Sequence, residues 1–272
     1  GIGYETALDF AKRGAKVILA CRDPQRAEKA RAKIIEKTGN ENIFVKLIDL
    51  ASFDSVRAFA EEINTSEDRL DILVNNAGVI GLGPKKSIDD QLLIMQINYF
   101  SSFLLTNLVL DLLKKTGSSR VVNVSSLTAA YVKNFDLSKI NKYSSNLKVY
   151  ATTKLCNILF TIELARRLEG TNVTTYSLHP GAVKTDILRY TQGLQGVISG
   201  LFVNLFSKTS EEGAQTTIYC SVAKGIERYS GEHFSNCQKV SPYATATIPG
   251  LSKKLWKLSE EIVRLKPEEI RF

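Results

Sequence analysis

Tyr150 and Lys154 stand four residues apart in the stretch Val149-Tyr-Ala-Thr-Thr-Lys-Leu-Cys-Asn-Ile-Leu-Phe160. On a helix that spacing puts both side chains on one face, a turn apart. A phenol is a poor acid or base near neutral pH because its ordinary pKa is about 10. A neighbouring ammonium favours the phenolate and lowers that value. The pair is thus a way to make a general acid/base from tyrosine, suited to moving a proton on or off an alcohol or carbonyl oxygen. With ten tyrosines in the chain, about one such spacing is expected by chance. Alone, the pair is equally a core tyrosine beside a solvated lysine.

The elements that would position the pair alternate. Gly3 to Arg13 reads as a helix and Lys16-Val-Ile-Leu-Ala20 as a short buried strand. A charged helix near Pro24 to Lys37, a strand over Asn42 to Ile48 and a helix over Ser52 to Ile63 follow, with Ser52 as N-cap. Leu70 to Val74 is a strand that ends in Asn75-Asn76-Ala77-Gly78. A long helix is expected from about Ser87 to Lys115, then a strand over Arg120 to Ser125. The helix carrying Tyr150 extends to about Leu168, and the strand Asn172 to Ser177 is closed by His179-Pro180-Gly181. Strands alternating with helices imply parallel β-α-β units with right-handed crossovers. Short uninterrupted apolar strands fit a sheet covered on both faces. The expected architecture is α/β, one doubly wound parallel sheet with helices on both faces, over residues 1–272 as a single domain.

In such a sheet the ligand crevice lies beyond the carboxyl ends of the strands. The chain opens Gly1-Ile2-Gly3, the end of a glycine-rich turn entering a helix. That arrangement lets backbone approach a pyrophosphate at a helix N-terminus, and as a bare Gly-x-Gly it is equally an ordinary turn. Nineteen residues after Gly3, the second strand ends at Arg22. An acid there would bond a ribose hydroxyl, whereas an arginine accommodates the 2′-phosphate of NADP. The reading favours NADP over a surface arginine that caps a strand. Asp49, after the third strand, either accepts from an adenine amino group or caps the next helix.

Net charge is +8, from 36 basic and 28 acidic residues. The charges are interspersed, so an anionic cofactor or membrane surface fits better than nucleic acid. Cysteines at 21, 156, 220 and 237 form no Cys-x-x-Cys pair, and with two histidines no metal-site spacing arises. Cys156 and Cys220 sit in apolar helical patterns as free core thiols, which suits a reducing compartment. No apolar run reaches the roughly 18–20 residues that span a bilayer.

Taken together, Gly1-Ile2-Gly3, Asp49, Asn75-Asn76-Ala77-Gly78, Asn98, Ser126, Tyr150-x3-Lys154 and His179-Pro180-Gly181 fall in the order of the classical short-chain dehydrogenases/reductases, which the chain resembles over nearly its whole length. Longer stretches, among them Val17 to Arg22, Arg120 to Ser126, Leu155 to Phe160 and Gly213 to Thr216, resemble the retinol dehydrogenase (retinal reductase) branch, which usually prefers NADP(H). The resemblance implies a Rossmann-type fold and an NADP(H)-dependent oxidoreductase acting on a lipophilic alcohol and its aldehyde or ketone, retinol and retinal first. It implies that Tyr150 exchanges the proton and that Lys154 lowers the tyrosine pKa and bonds the nicotinamide ribose. Ser126 would hold the substrate oxygen, and Asn98 would place a water in the proton relay. It further implies cofactor contacts from Gly1, Ile2, Gly3, Arg22, Asp49, Asn76, Ala77, Gly78, Tyr150, Lys154, Pro180, Gly181, Val183 and Thr185. Simpler roles stand beside these. Ser125 and Ser126 could be strand-end caps, Asn98 a buried asparagine satisfied by backbone, and Thr185 the cap of a helix beginning near Asp186. His179 reads as structural.

Two segments fit a substrate entrance: 127–149, and the apolar 185–207, read either as a core helix or as a lid that dips into a membrane surface. An endoplasmic-reticulum membrane location facing the cytosol is expected, with mitochondrion or cytoplasm as alternatives. The family's first strand and first turn glycine precede Gly1 in this resemblance, so the chain is expected to be amino-terminally incomplete and, as it stands, to bind NADP poorly or be unstable. A steroid or general carbonyl reductase is the alternative within the class. A non-catalytic nucleotide-binding truncated form is the alternative outside it.

Overall fold

The computed structural model describes residues 1–183 and 208–272. Thr185 and the entrance segment 185–207 therefore lie outside the described residues. The chain runs α1 (Ile2–Lys12), β1 (Val17–Cys21), α2 (Pro24–Thr38), β2 (Ile43–Leu47), α3 (Phe53–Ser66) and β3 (Ile72–Asn75). A broken helix follows as α4 (Leu93–Met95), a π turn (Gln96–Phe100), α5 (Ser101–Leu108) and α6 (Leu110–Thr116). Then come β4 (Ser119–Val124), α7 (Asn146–Arg167), β5 (Val173–His179), α8 (Ser210–Val222), the hairpin β6 (His233–Ser235) and β7 (Gln238–Val240), and α9 (Leu251–Ile262).

Local chemistry sets the helix starts. Asp23 accepts the N–H of Arg26 with Pro24 in the first turn, Ser52 accepts from Ser55, and Ser145 accepts from Lys148. Thr209 and Glu212 form a reciprocal capping box at α8. Helix α2 ends at Gly39 in the left-handed conformation, φ 68°.

The strands pair in parallel, as the alternation requires, except for the antiparallel β6–β7 hairpin. They form a pair, β1–β2, and a five-stranded sheet in the order β3-β4-β5-β6-β7. Among the described residues no ladder joins β1 to β3, the point at which a further strand is expected from the sequence. On one face of the larger sheet Val122, Val124, Tyr176, Leu178 and Phe234 meet Cys220 of α8. On the other, Val121 and Val173 join the main core with α3, α5, α7 and α9, centred on Phe103, Phe160 and Trp256. A third, small core of Ala7, Leu8, Ala11, Val17, Ile34 and Ile43 holds α1 and α2 to the strand pair. Both faces are covered, so the fold is doubly wound and Rossmann-type. Cys156 and Cys220 are buried free thiols.

The structure departs from the sequence reading in two places. The helix expected from Ser87 begins at Leu93. Ser87 Oγ accepts the N–H groups of Asp89 and Gln91, and Asp90 sits at φ 60°, so a side-chain-bonded turn displaces the first helical turn. Strands β6 and β7 were not anticipated, because three-residue strands carry too little alternation to register in sequence. Among the described residues no single helix is long and apolar enough to cross a membrane. A bent pair, Leu93–Leu108 with Leu110–Thr116, passes on composition, and it forms part of the buried core.

Candidate active site

The site forms where β4 ends against the first half of α7. Tyr150 and Lys154 are 8% and 2% exposed, and the lysine Nζ lies 5.6 Å from the tyrosine ring centroid, so the four-residue spacing does put both on one buried face. Lys154 Nζ donates to the carbonyl of Val124, the last residue of β4, at 3.0 Å. Asn157, a turn further along α7, donates to the same oxygen at 3.2 Å. Ser125 Oγ donates back to the Lys154 carbonyl at 2.7 Å. Strand end and helix are thus locked by three bonds, and Ser125 serves the helix backbone. Ser126 caps the short 3-10 turn Leu127–Tyr131 by accepting from Thr128, and it hydrogen-bonds the Tyr150 hydroxyl.

Burial sets the acidities here. It pushes Tyr150 up to about 12, with the Ser126 bond opposing. It pulls Lys154 down to about 8, since desolvation penalises the ammonium. The expectation that Lys154 lowers the tyrosine pKa is not met in this structure. The low-dielectric surroundings outweigh the ammonium, and the hydroxyl is a stronger proton holder than a free phenol.

Asn98 falls within the π turn, a feature that recurs at functional sites. Its Oδ1 accepts from Val79 N–H at 2.8 Å, and its Nδ2 donates to the Val79 carbonyl at 2.9 Å and to Thr153 Oγ1 at 3.2 Å. Thr153, fully buried, donates in turn to the Tyr150 carbonyl at 2.7 Å. The carboxamide therefore ties the Asn76-Ala77-Gly78 turn to the Tyr150 helix, and both its N–H donors are used in doing so. Beneath this, Asn75 donates to Thr106 and Asn123, and Asn123 donates to Thr161, a polar rung through β3 and β4 to the flanking helices. Sequence reasoning missed Thr153, Asn157, Asn123 and Thr161. The signal available was their position next to motif residues or one turn beyond them.

The cofactor-side residues gather at the same sheet edge. A Cβ on Gly3 would lie 2.7 Å from Asn76 Nδ2, so the opening glycine turn and the β3 turn are in close contact. A Cβ on Gly78 would lie 3.3 Å from Lys154 Nζ and 3.8 Å from Asn98 Oδ1. Gly181 needs its φ of 95°, and the side chain of Lys208 lies across it. Val183 pairs with Lys208 and packs against Gly213 at the start of α8. Arg22 is exposed just past β1. Asp49 Oδ1 accepts the N–H of Ala51, the capping alternative, which leaves Oδ2 for another donor. His179 Nδ1 accepts the N–H groups of Leu127 and Gly181. Small residues that keep backbone close to the edge, with an exposed arginine beyond β1, fit an extended anionic dinucleotide.

This arrangement is that of a dehydrogenase built on a dinucleotide fold, and the comparisons give the family. Residues 1–193 match the family described as short chain dehydrogenase. The chain belongs to that family and is an oxidoreductase of it. It is 42% identical over 267 residues to retinol dehydrogenase 11 of Mus musculus, covering 97% of this chain and 84% of the relative. It is 40% identical over 270 residues to retinol dehydrogenase 12 of Homo sapiens, covering 98% and 84%. Among solved structures it is similar to an uncharacterized protein from Mycobacterium paratuberculosis, with TM-score 0.75, 29% identity and coverage of 97% and 89%. A short chain dehydrogenase from Escherichia coli CFT073, solved with NADPH, shares the fold at TM-score 0.67 and 23% identity, with coverage of 87% and 92%.

Proposed function

We propose that this chain is an NADP(H)-dependent oxidoreductase that interconverts a lipophilic alcohol and its aldehyde, with retinol and retinal as the pair. The observation that carries the reading is the locked Ser126–Tyr150–Lys154 group at the edge where the Gly3, Asn76 and Gly78 turns converge. The relatives' names support the substrate class. Gly1, Ile2, Gly3, Asn76, Ala77 and Gly78 would hold the dinucleotide's backbone, Arg22 its 2′-phosphate, and Pro180, Gly181 and Val183 its nicotinamide end. When bound, the nicotinamide supplies or takes the hydride.

The chain's own task is orientation and proton transfer. Ser126 holds the substrate oxygen by a hydrogen bond. In reduction Tyr150 gives its proton to that oxygen as the carbonyl carbon gains the hydride, which leaves an alcohol and a phenolate that solvent reprotonates through the relay. In oxidation the order reverses. A tyrosine held well above its ordinary pKa rests protonated, the form that reduction needs. Lys154 stands next to the oxygen that becomes negative and would bond the ribose.

The test is NADPH oxidation with all-trans-retinal. Tyr150→Phe should lower kcat by about 10²–10⁴ while NADPH binding, followed by fluorescence, stays intact. Equal turnover in the variant would reject the reading. Faster turnover of steroid ketones or simple carbonyls than of retinal would move the assignment to a steroid or general carbonyl reductase. A membrane-surface location, on the cytosolic side of the endoplasmic reticulum, follows from a lipophilic substrate and the apolar segment 185–207. Unchanged liposome flotation of a Phe202→Asp, Phe206→Asp double variant would count against it.

A further inference from the structure

The last ladder bond between β4 and β5 runs from Ser125 N–H to the Leu178 carbonyl, at 2.7 Å. Beyond it the two chains part. One leads through Ser126 into the 3-10 turn, and the other leads into Pro180-Gly181. Both would have backbone donors without strand partners. The imidazole of His179 supplies the next rung. Its Nδ1 accepts from Leu127 N–H at 3.1 Å and from Gly181 N–H at 3.4 Å, so one nitrogen serves both diverging chains.

We infer that His179 is a positioning residue that sets the separation between the substrate-oxygen side of the site and the turn facing the nicotinamide. The inference rests on the function proposed above. Leu127 directly follows Ser126, so the first bond fixes the peptide that carries the substrate-holding hydroxyl. The second fixes the glycine around which the other turn bends. Hydride transfer depends steeply on this kind of separation, since a misplacement of about 1 Å costs on the order of 100-fold in rate.

The rung works only while Nδ1 carries a lone pair, which requires the neutral ring with its proton on Nε2. An imidazolium would point an N–H at two other N–H groups. The surroundings protect the neutral form. Burial lowers the pKa, and the ammonium of Lys208 lowers it further. Lys208 is itself held over Gly181, donating its backbone N–H to Ala182 at 2.8 Å and its Nζ to Asn236 at 2.7 Å. His233 on the neighbouring strand interacts with His179, is held down to about 4 and so stays neutral, and bonds Ser177 instead.

Asparagine places its Oδ1 close to where histidine has Nδ1, whereas leucine keeps bulk and offers no acceptor. In the full chain, His179→Leu should lose about 10- to 100-fold in kcat for retinal reduction, with the Kd for NADPH within about threefold of the parent. His179→Asn should recover most of that loss. The parent's kcat should also fall reversibly on acidification below the ordinary histidine range, and the asparagine variant should lack that limb. A leucine variant with parental kcat, an asparagine variant no better than leucine, or an identical acid limb in parent and asparagine variant would each overturn the inference. If His179→Leu fails to fold by circular dichroism, the pH profiles of parent and His179→Asn decide alone. If the parent reduces no carbonyl offered, the function proposed above fails, and amide exchange reads the rung directly. Leu127 and Gly181 should be protected in the parent and in His179→Asn. Fast exchange of both amides in the parent would refute the rung independently of any activity.

Discussion

The carboxyl-edge region around β4, β5 and α7 and the unit of α1, α2 and the β1–β2 pair contribute to one site by opposite means. In the first, the functional side chains are buried and each is held by several partners. Lys154 reaches Val124, Ser125 reaches back to Lys154, and Asn98 joins Val79 to Thr153. In the second, a core of six buried apolar residues supports a surface that offers glycine backbone and an exposed arginine. Proton transfer needs side chains fixed to fractions of an ångström. Holding a phosphate needs only backbone proximity and a positive charge that can move to meet it. The comparison teaches that rigidity is concentrated where bonds break.

The largest effect that tests this contrast is at Lys154. Lys154→Met should reduce turnover by about 10²–10⁴ and leave folding intact, because a thioether of similar length fills the apolar space. The same substitution should change how stability depends on pH. Folded Lys154 releases its proton near 8, whereas in the unfolded chain it does so near its ordinary 10.5. Between those values the unfolded state binds more protons, so the parent should gain stability as pH rises, by up to about 1.4 kcal/mol per pH unit. Urea midpoints of parent and Lys154→Met from neutral pH to about pH 10 should converge or cross accordingly. Parallel curves would mean that the ammonium is not desolvated.

Next in size is the small core. Ile34→Ala, at a fully buried position, should cost about 2–5 kcal/mol. Hydrogen exchange should show β1 and β2 opening before β4 and β5 do. Uniform loosening of all strands would dissolve the contrast between the two regions. Smaller again is Arg22→Glu, which should weaken NADPH relative to NADH by about 10-fold or more through lost charge pairing, with kcat at saturation near the parent's. The smallest effect is Asp9→Asn, which breaks the exposed pair with Arg13. It should move the melting midpoint by no more than the equivalent of about 0.5 kcal/mol.

Five strands, the helices between them and the face shared by Tyr150 and Lys154 were legible because each rests on local periodicity or on a capping residue such as Ser52. The break between β1 and β3 was legible from the glycine turn. What escaped depends on partners distant in sequence. Strand β6 exists because His233, Phe234 and Ser235 find β5, not because they favour extension. The direction of the Tyr150 shift followed from burial that no spacing reveals. The engagement of Asn98 with Val79 and Thr153, in place of an exposed carboxamide, required the fold to bring residues 79, 98 and 153 together. The start at Leu93 instead of Ser87 turned on hydroxyl bonds that compete with the helix.

The π turn at Gln96–Phe100 carries a consequence for insertions and deletions. A turn of this kind holds one residue more than an α turn, so it resets the phase between the helix before it and the helix after it. Ile94 and Met95 precede it, Phe103 and Leu104 follow it, and all four are buried in the same core. Removing any one residue between them would leave a regular helix rotated by about 100° across the join, and one of the two pairs would have to face water. This stretch should therefore accept substitutions of side chain far more readily than any change in its length.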